Sequence, residues 1–105
     1  DTKVNLIEDG TQRIIPGLLL DKTKINAANI TLVVSRSGGS EDGTVNFDLD
    51  AFYNEQLSLW EMAASYIGTA VVELEIDVNG QVKYIAQPSG ATSFFARYRI
   101  NGSGN

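Results

Sequence analysis

The stretch TAVVELEIDV, residues 69–78, followed directly by Asn79-Gly80, decides the fold of this chain. From Ala70 onward its apolar side chains at even positions alternate with Val71 and three acidic residues at odd positions. This alternation is typical of a strand with one face in the core and the other in water. Asparagine and glycine both tolerate a positive φ, as a two-residue type I′ hairpin turn requires. We therefore predict an antiparallel hairpin in which residues 81–87 return against residues 69–78.

Turn signals that contain glycine, proline, asparagine or aspartate divide the rest of the chain into short apolar segments. Within residues 43–49 and 92–100, apolar and polar side chains again alternate, which indicates strands that face a core. The strands that we predict span residues 3–8, 12–20 with a break at Pro16-Gly17, 29–35, 43–49, 69–78, 81–87 and 92–100.

Residues 54–67 interrupt the alternation. Apolar side chains recur there at spacings of three and four, the period of an amphipathic helix: Tyr53, Leu57, Trp60, Ala64 and Ile67. Asn54 is a suitable N-cap and Gly68 a suitable helix stop. We predict one short helix over residues 54–67, with Trp60 buried against the sheet.

The order of these elements places strands beside strands and does not repeat a strand-helix-strand unit, which favours antiparallel sheets. At 105 residues the chain can form one core, and we predict a single domain over residues 1–105. The fold class is mainly β: an antiparallel β-sandwich, immunoglobulin-like or Greek key, with one short α-helix around residues 54–67. Because the sequence begins with Asp1 rather than Met, we expect it to be excised from or processed out of a longer chain.

The composition excludes several functions. Thirteen acidic residues against eight basic ones give a net charge of −5, which disfavours binding to nucleic acid or to an anionic membrane surface. No apolar run approaches the ~18 residues of a membrane-spanning segment. Cysteine and histidine are both absent, which excludes Ser-His-Asp and Cys-His catalysis and metal ligation through thiolate or imidazole. We predict no enzymatic activity, no cofactor and no metal site.

Carboxylates are the remaining side chains that are able to bind a metal ion or to act as catalytic acids and bases. Glu73, Glu75 and Asp77 share one face of the predicted strand, where a calcium site and a solvated face are the two interpretations; the second is favoured because side chains spread along a strand diverge. We expect Arg97 and Arg99 to face this acidic stripe on a neighbouring strand. A carboxylate-only hydrolase is a more distant alternative, and its candidate acids and bases are Glu41, Asp42, Asp48 and Asp50.

Several segments follow one another in a recognisable order: residues 29–34 (NITLVV), a glycine-rich turn, residues 45–49 (VNFDL), a short helical turn, residues 68–76 (GTAVVELEI) and residues 79–82 (NGQV). This order resembles immunoglobulin-like modules of phage virion proteins, such as the N-terminal module of upper baseplate proteins. The resemblance covers residues 29–100 and lies in the rhythm of the strands. It implies a structural adaptor that anchors a receptor-binding or decoration element to a virion, with no catalysis and no cofactor.

We therefore expect a structural or assembly module that works through protein–protein contacts, located in a virion or outside the cell. A carbohydrate-binding or adhesin-type β-sandwich, with a glycan as its ligand, is the alternative. We expect open sheet edges at residues 2–8 and 94–100, which, unless they are covered, pair with or pack against protein partners or copies of the chain in a homo-oligomer. The side chains that we expect at the interface lie off the apolar registers: Phe95, Arg97, Arg99, Tyr66 and Phe52.

Overall fold

The computed structural model describes residues 1–104, which form eight strands in two antiparallel sheets. The strands are β1 (Thr2–Asn5), β2 (Arg13–Leu19), β3 (Ala27–Ser37), β4 (Gly43–Asn54), β5 (Leu59–Gly68), β6 (Glu73–Ile76), β7 (Gln81–Ile85) and β8 (Ser93–Ser103). One sheet has the strand order β1-β8-β3-β4-β5, and the other has the order β2-β7-β6. The two sheets enclose one hydrophobic core, so the predicted β-sandwich architecture is confirmed.

Alternation of side chains explains why the central strands face this core. In β4, Val45, Phe47 and Leu49 are buried, while the residues between them are exposed. From the opposite sheet, Val82 and Tyr84 of β7 are buried against the same core. Strands with this two-residue period were readable from the sequence because one face is apolar and the other polar.

The predicted helix over residues 54–67 is wrong, and no helix, including any that could cross a membrane, is present within residues 1–104. The segment is instead the end of β4, a turn at residues 55–58, and β5. Asn54 does act as a cap, since its Oδ1 accepts the N–H of Leu57 at 3.2 Å, but it caps a turn between two strands. Ser58 closes that turn at a φ of 55°.

Trp60 is buried, as expected, although it lies on a strand. β4 and β5 pair so that Tyr53 lies directly opposite Trp60. Their rings meet edge to face with centroids 5.7 Å apart. Only 4% of Trp60 is exposed, so the ring belongs to the core.

The hairpin at Asn79-Gly80 is confirmed in topology and corrected in turn type. β6 and β7 are antiparallel, with Ile76 opposite Val82. Asp77 N–H donates to Gln81 O at 3.0 Å and Gly80 N–H donates to Asp77 O at 3.1 Å, so the loop has three residues. Gly80 alone takes a positive φ, 94°, which is a type I turn closed by a glycine bulge.

The strand predicted over residues 69–78 is shorter than expected. Residues 69–72 cross from the five-stranded to the three-stranded sheet, and Val71 and Val72 are buried during the crossing. Regular pairing begins only at Glu73. The apolar run of the sequence therefore contains both a sheet-to-sheet connection and a strand.

Candidate functional site

The outer face of the five-stranded sheet carries a cluster of basic side chains around one aromatic ring. In β8 the core-facing residues alternate with Phe95, Arg97 and Arg99, which therefore point outward. β1 pairs with β8 and places Lys3 directly opposite Arg97. We call Lys3, Phe95, Arg97 and Arg99 the basic patch.

Two cations of the basic patch, one from each strand, contact the ring of Phe95. Lys3 Nζ lies 4.5 Å from the ring centroid and Arg97 Cζ lies 5.6 Å from it. Each such contact stabilises an exposed site by about 0.5–1 kcal/mol. Phe95 is half-buried beneath these cations. Arg99 is held separately, because its guanidinium forms an ion pair with Asp1 at 3.2 Å.

The same face becomes acidic on the far side of β3. Asp48 and Asp50 project from β4, and Asn29 Nδ2 donates to one carboxylate oxygen of each, at 2.7 and 2.9 Å. β4 lies two strand spacings from β8, or about 10 Å. The face therefore presents a positive and a negative half side by side.

The structure does not bring the other two predicted interface residues to the basic patch. Phe52 points outward from β4 and is 48% exposed, but it lies near the opposite end of the sheet. Tyr66 lies on β5, where it contacts the ring of Phe47 at a centroid distance of 5.7 Å and remains 56% exposed. Phe95, Arg97 and Arg99 form one cluster, while Tyr66 and Phe52 are separate from it.

Only one of the two predicted sheet edges is an edge. β1, within residues 2–8, forms the end of the five-stranded sheet. Residues 94–100 lie in β8, which is paired with β1 on one side and with β3 on the other. The expectation that residues 94–100 form an open edge is therefore wrong.

The predicted pairing of the arginines with the acidic stripe is also wrong, because the two groups lie on different sheets. Asp77 instead accepts the N–H groups of Asn79 and Gln81 at 2.9 and 3.0 Å and pairs with Lys83 at 3.4 Å. Burial raises the pKa of Asp77, but these hydrogen bonds and Lys83 together hold it below its usual value. Asp77 thus stabilises the hairpin turn.

The remaining carboxylates of the sequence hypothesis are dispersed. Asp42 accepts the N–H groups of Gly38 and Gly39 at 3.1 and 2.9 Å, which fixes the loop between β3 and β4. Glu41 lies 3.7 Å from Arg36. Within residues 1–104, no three acidic side chains converge as a metal site needs. Asp48 and Asp50 do lie close together, but on an open sheet face rather than in a cleft.

Two buried or half-buried charged residues were missed by sequence reasoning. Arg36 is only 4% exposed; its Nε donates to Glu41 O and its Nη1 to Gln87 O, both at 3.0 Å. Glu8 accepts the N–H groups of Ser89, Gly90 and Ala91 and the Ser89 hydroxyl, which together close the 88–91 loop. Neither has a local sequence signal, because every partner except Glu41 lies more than fifty positions away.

A groove of about 580 Å³ opens at one end of the sandwich. Leu19, Tyr53, Trp60 and Val78 form its apolar walls, and Lys22 lies at its rim. Lys22 Nζ lies 3.2 Å from Tyr53 Oη and 4.8 Å from the centre of that ring. Local sequence patterns do not predict this groove, because its walls come from separate strands and turns.

Comparison with family models, with curated proteins and with solved structures finds no match to this chain.

Proposed function

We propose that the chain is a non-enzymatic assembly module, and that it binds a protein partner through the basic patch. One observation carries the proposal: a molecule of net charge −5 places two cations against one aromatic ring, with a third cation beside them, on an exposed sheet face. Arginine and aromatic side chains are enriched at protein interfaces. A partner segment with acidic side chains and an apolar group that covers Phe95 fits this surface.

The charge pattern of the face supports recognition in one orientation. Arg99 and Asp48 lie in the same register row on either side of Thr31, about 10 Å apart at two strand spacings. A partner with the complementary pattern is attracted in one orientation and repelled when it is reversed, which improves specificity and the rate of association more than affinity. The patch is therefore suited to a defined docking geometry.

The glycan-binding alternative has less support. Phe52 and Phe95 are the aromatic residues on this face, and their neighbours on β3 are Ala27 and Ser35. At about 3.3 Å per residue, eight positions separate the rings by about 26 Å along the strand. Two rings at this distance do not form one stacking platform.

The virion setting is part of the same proposal. It is supported by the resemblance of residues 29–100 to immunoglobulin-like phage modules, and two antiparallel sheets are compatible with such a module. In that setting the chain is an adaptor or decoration domain, in a virion or outside the cell.

Site-specific photo-cross-linking tests the proposal. A photoreactive phenylalanine at position 95 should capture a defined protein in the particle or extract from which the chain comes. The matched control is the same residue at Phe52, which is aromatic and exposed on the same face but outside the patch. Reversal of charge at Arg97→Glu and Arg99→Glu should abolish capture at position 95. Equal capture at both positions, or binding of a soluble glycan without any protein partner, would overturn the proposal.

A further inference from the structure

The second half of β5 is exposed on both faces. Residues 63–68 are all exposed, and Ile67 reaches 83%. β5 is the last strand of the five-stranded sheet, so one of its edges has no neighbouring strand in that sheet. The short three-stranded sheet covers Trp60 but leaves Tyr66 open.

The direction of the free peptide groups follows from the backbone hydrogen bonds at the two ends of β5. Trp60 N–H donates to Val78 O, away from β4, whereas Thr69 N–H donates to Thr44 O, which belongs to β4. Peptide groups alternate in direction along an antiparallel strand, so those of Met62, Ala64 and Tyr66 also point away from β4. Within residues 1–104 they have no backbone partner.

The other three sheet edges carry features that discourage strand addition. β1 has four residues and carries Lys3, and β6 has four residues and carries Glu73 and Glu75. β2 contains Pro16 and loses its regular register within the strand. Short length, charge, proline and irregular pairing are the usual protections of an edge. β5 spans ten residues in unbroken register without proline, and its one charged residue, Glu61, lies near its start, so residues 62–72 carry no charge.

The sequence of β5 is complementary to itself when two copies run antiparallel about Ser65. Met62 then faces Gly68, Ala63 faces Ile67, Ala64 faces Tyr66, and Ser65 faces Ser65. Each large side chain meets a small one, and the outward peptide groups of residues 62, 64, 66 and 68 face one another as hydrogen-bonded pairs. Glu61 of each copy lies opposite Thr69, so two acidic chains meet without a like-charge contact.

We propose that β5 pairs antiparallel with β5 of a second copy, on a two-fold axis at Ser65. The two five-stranded sheets then form one continuous sheet of ten strands. This inference rests on the proposed function, that the chain acts by association, but it uses a surface separate from the basic patch. The contact is isologous and closes as a dimer, which also removes the unprotected edge.

A single introduced cysteine tests this geometry, because the chain has no cysteine of its own. Opposite residues of a non-hydrogen-bonded pair have Cα atoms about 4.5 Å apart, which a disulfide can bridge. Under mild oxidation, Ser65→Cys should become a covalent dimer almost completely. The matched control is Thr2→Cys on β1, at the other edge of the same sheet, which should remain largely monomeric.

Sedimentation of the chain without cysteine gives the second measurement. At high concentration the mass should be twice the 11.4 kDa of one chain. Ser65→Lys places two cations face to face on the axis and should restore the single-chain mass, while far-ultraviolet circular dichroism confirms that it folds. A single-chain mass for the unmodified protein, slow cross-linking equal to that of Thr2→Cys, or open-ended larger species would overturn the pairing.

The two proposals fail separately. If position 95 captures a partner but Ser65→Cys does not cross-link, only the β5 pairing is wrong. If Ser65→Cys cross-links and position 95 captures nothing, the pairing holds and the role of the basic patch is wrong.

Discussion

Gly80 occupies a position where both backbone conformation and space require glycine. Its φ is 94°, and a Cβ atom there would lie 2.5 Å from Leu20 O and 2.8 Å from Trp60 Nε1. Gly90 has a similar φ of 73°, but a Cβ atom there would meet nothing within 4 Å. The two glycines therefore separate the cost of a positive φ from the cost of a steric clash.

We expect Gly80→Ala to destabilise the protein more than Gly90→Ala. The left-handed conformation costs a non-glycine residue about 1 kcal/mol, so this is the expected loss for Gly90→Ala. Gly80→Ala adds the clash with buried atoms and should lose at least about twice as much. Urea unfolding measures both, and equal losses would show that Gly80 is required for its conformation alone.

Glu8 makes the stability of the folded protein depend on pH in the acid range. The N–H of Ser89 is the main cause that lowers the pKa of Glu8 below its ordinary 4.5; partial burial opposes it, and the Ser89 hydroxyl and the N–H groups of Ala91 and Gly90 assist. Because the folded-state pKa is below the unfolded one, the stabilisation is present above about pH 4.5 and is lost as the pH falls through the folded value.

Glu8→Gln should therefore reduce stability at neutral pH and weaken the dependence of stability on pH in the acid range. Melting temperatures measured from neutral to acid pH give both effects. Glu55→Gln, which removes a carboxylate from the exposed turn at residues 55–58, is the control. Parallel curves for Glu8→Gln and the unmodified protein would contradict the role of Glu8.

At the scale of elements, β5 shows how an edge strand can resemble a helix. Trp60 and Met62 face the core, but residues 63–68 are exposed on both faces, so no selection for alternation acts on them. Apolar residues can then fall at any spacing, and two adjacent alanines add helix propensity. Asn54 also favoured the incorrect helix prediction, because the same side-chain hydrogen bond caps either a turn or a helix.

Proline substitution distinguishes a strand from a helix at this segment. Ala63 lies opposite Asp50 and its N–H points towards β4, whereas the N–H of Ala64 points outward. Ala63→Pro should cost the single chain at least about 2 kcal/mol because it removes a ladder hydrogen bond, while Ala64→Pro should leave the single chain folded and remove only an N–H that the proposed β5 pairing uses. In a helix both prolines would be disruptive. Thermal unfolding of the two variants at low concentration, where the single chain predominates, measures the difference, and equal losses of stability would contradict the strand.

Local patterns predicted the elements that have one apolar and one polar face. The β6–β7 hairpin and the strands at β3, β4 and β8 follow from alternation and turn residues. The pairing of β8 between β1 and β3 does not, because it joins residues far apart in the chain. For the site, alternation placed Phe95, Arg97 and Arg99 on one outward face, but Lys3 joins them only through the β1–β8 register.

At the scale of the whole molecule, the two sheets differ in width. Five strands face three, so the core is well covered in the middle and poorly covered beyond Met62 on β5. Strand addition at β5 and partner binding at the basic patch use different regions of the wider sheet. A dimer would therefore carry two basic patches, which increases the avidity for a partner with repeated sites.

The two sheets are also joined by a buried hydroxyl. Tyr98 projects from β8 across the core, and its Oη donates to Pro16 O of β2 at 2.7 Å. Burial raises the pKa of Tyr98 above its ordinary 10.0, against a smaller opposing effect of Thr2. A raised folded-state pKa means that this stabilisation is complete below pH 10.0 and is lost as the pH rises through the folded value.

Tyr98→Phe should thus lower the free energy of unfolding by about 1 kcal/mol at neutral pH, the usual net value of one hydrogen bond. Above the ordinary tyrosine pKa, the difference in unfolding free energy between the unmodified protein and Tyr98→Phe should become smaller. Only the unmodified protein loses stability when residue 98 ionises. Tyr66→Phe, at an exposed site, is the control and should have little effect at any pH. Urea unfolding from neutral to strongly alkaline pH measures the difference, and a constant gap between Tyr98→Phe and the unmodified protein would show that the hydroxyl does not hold the sheets together.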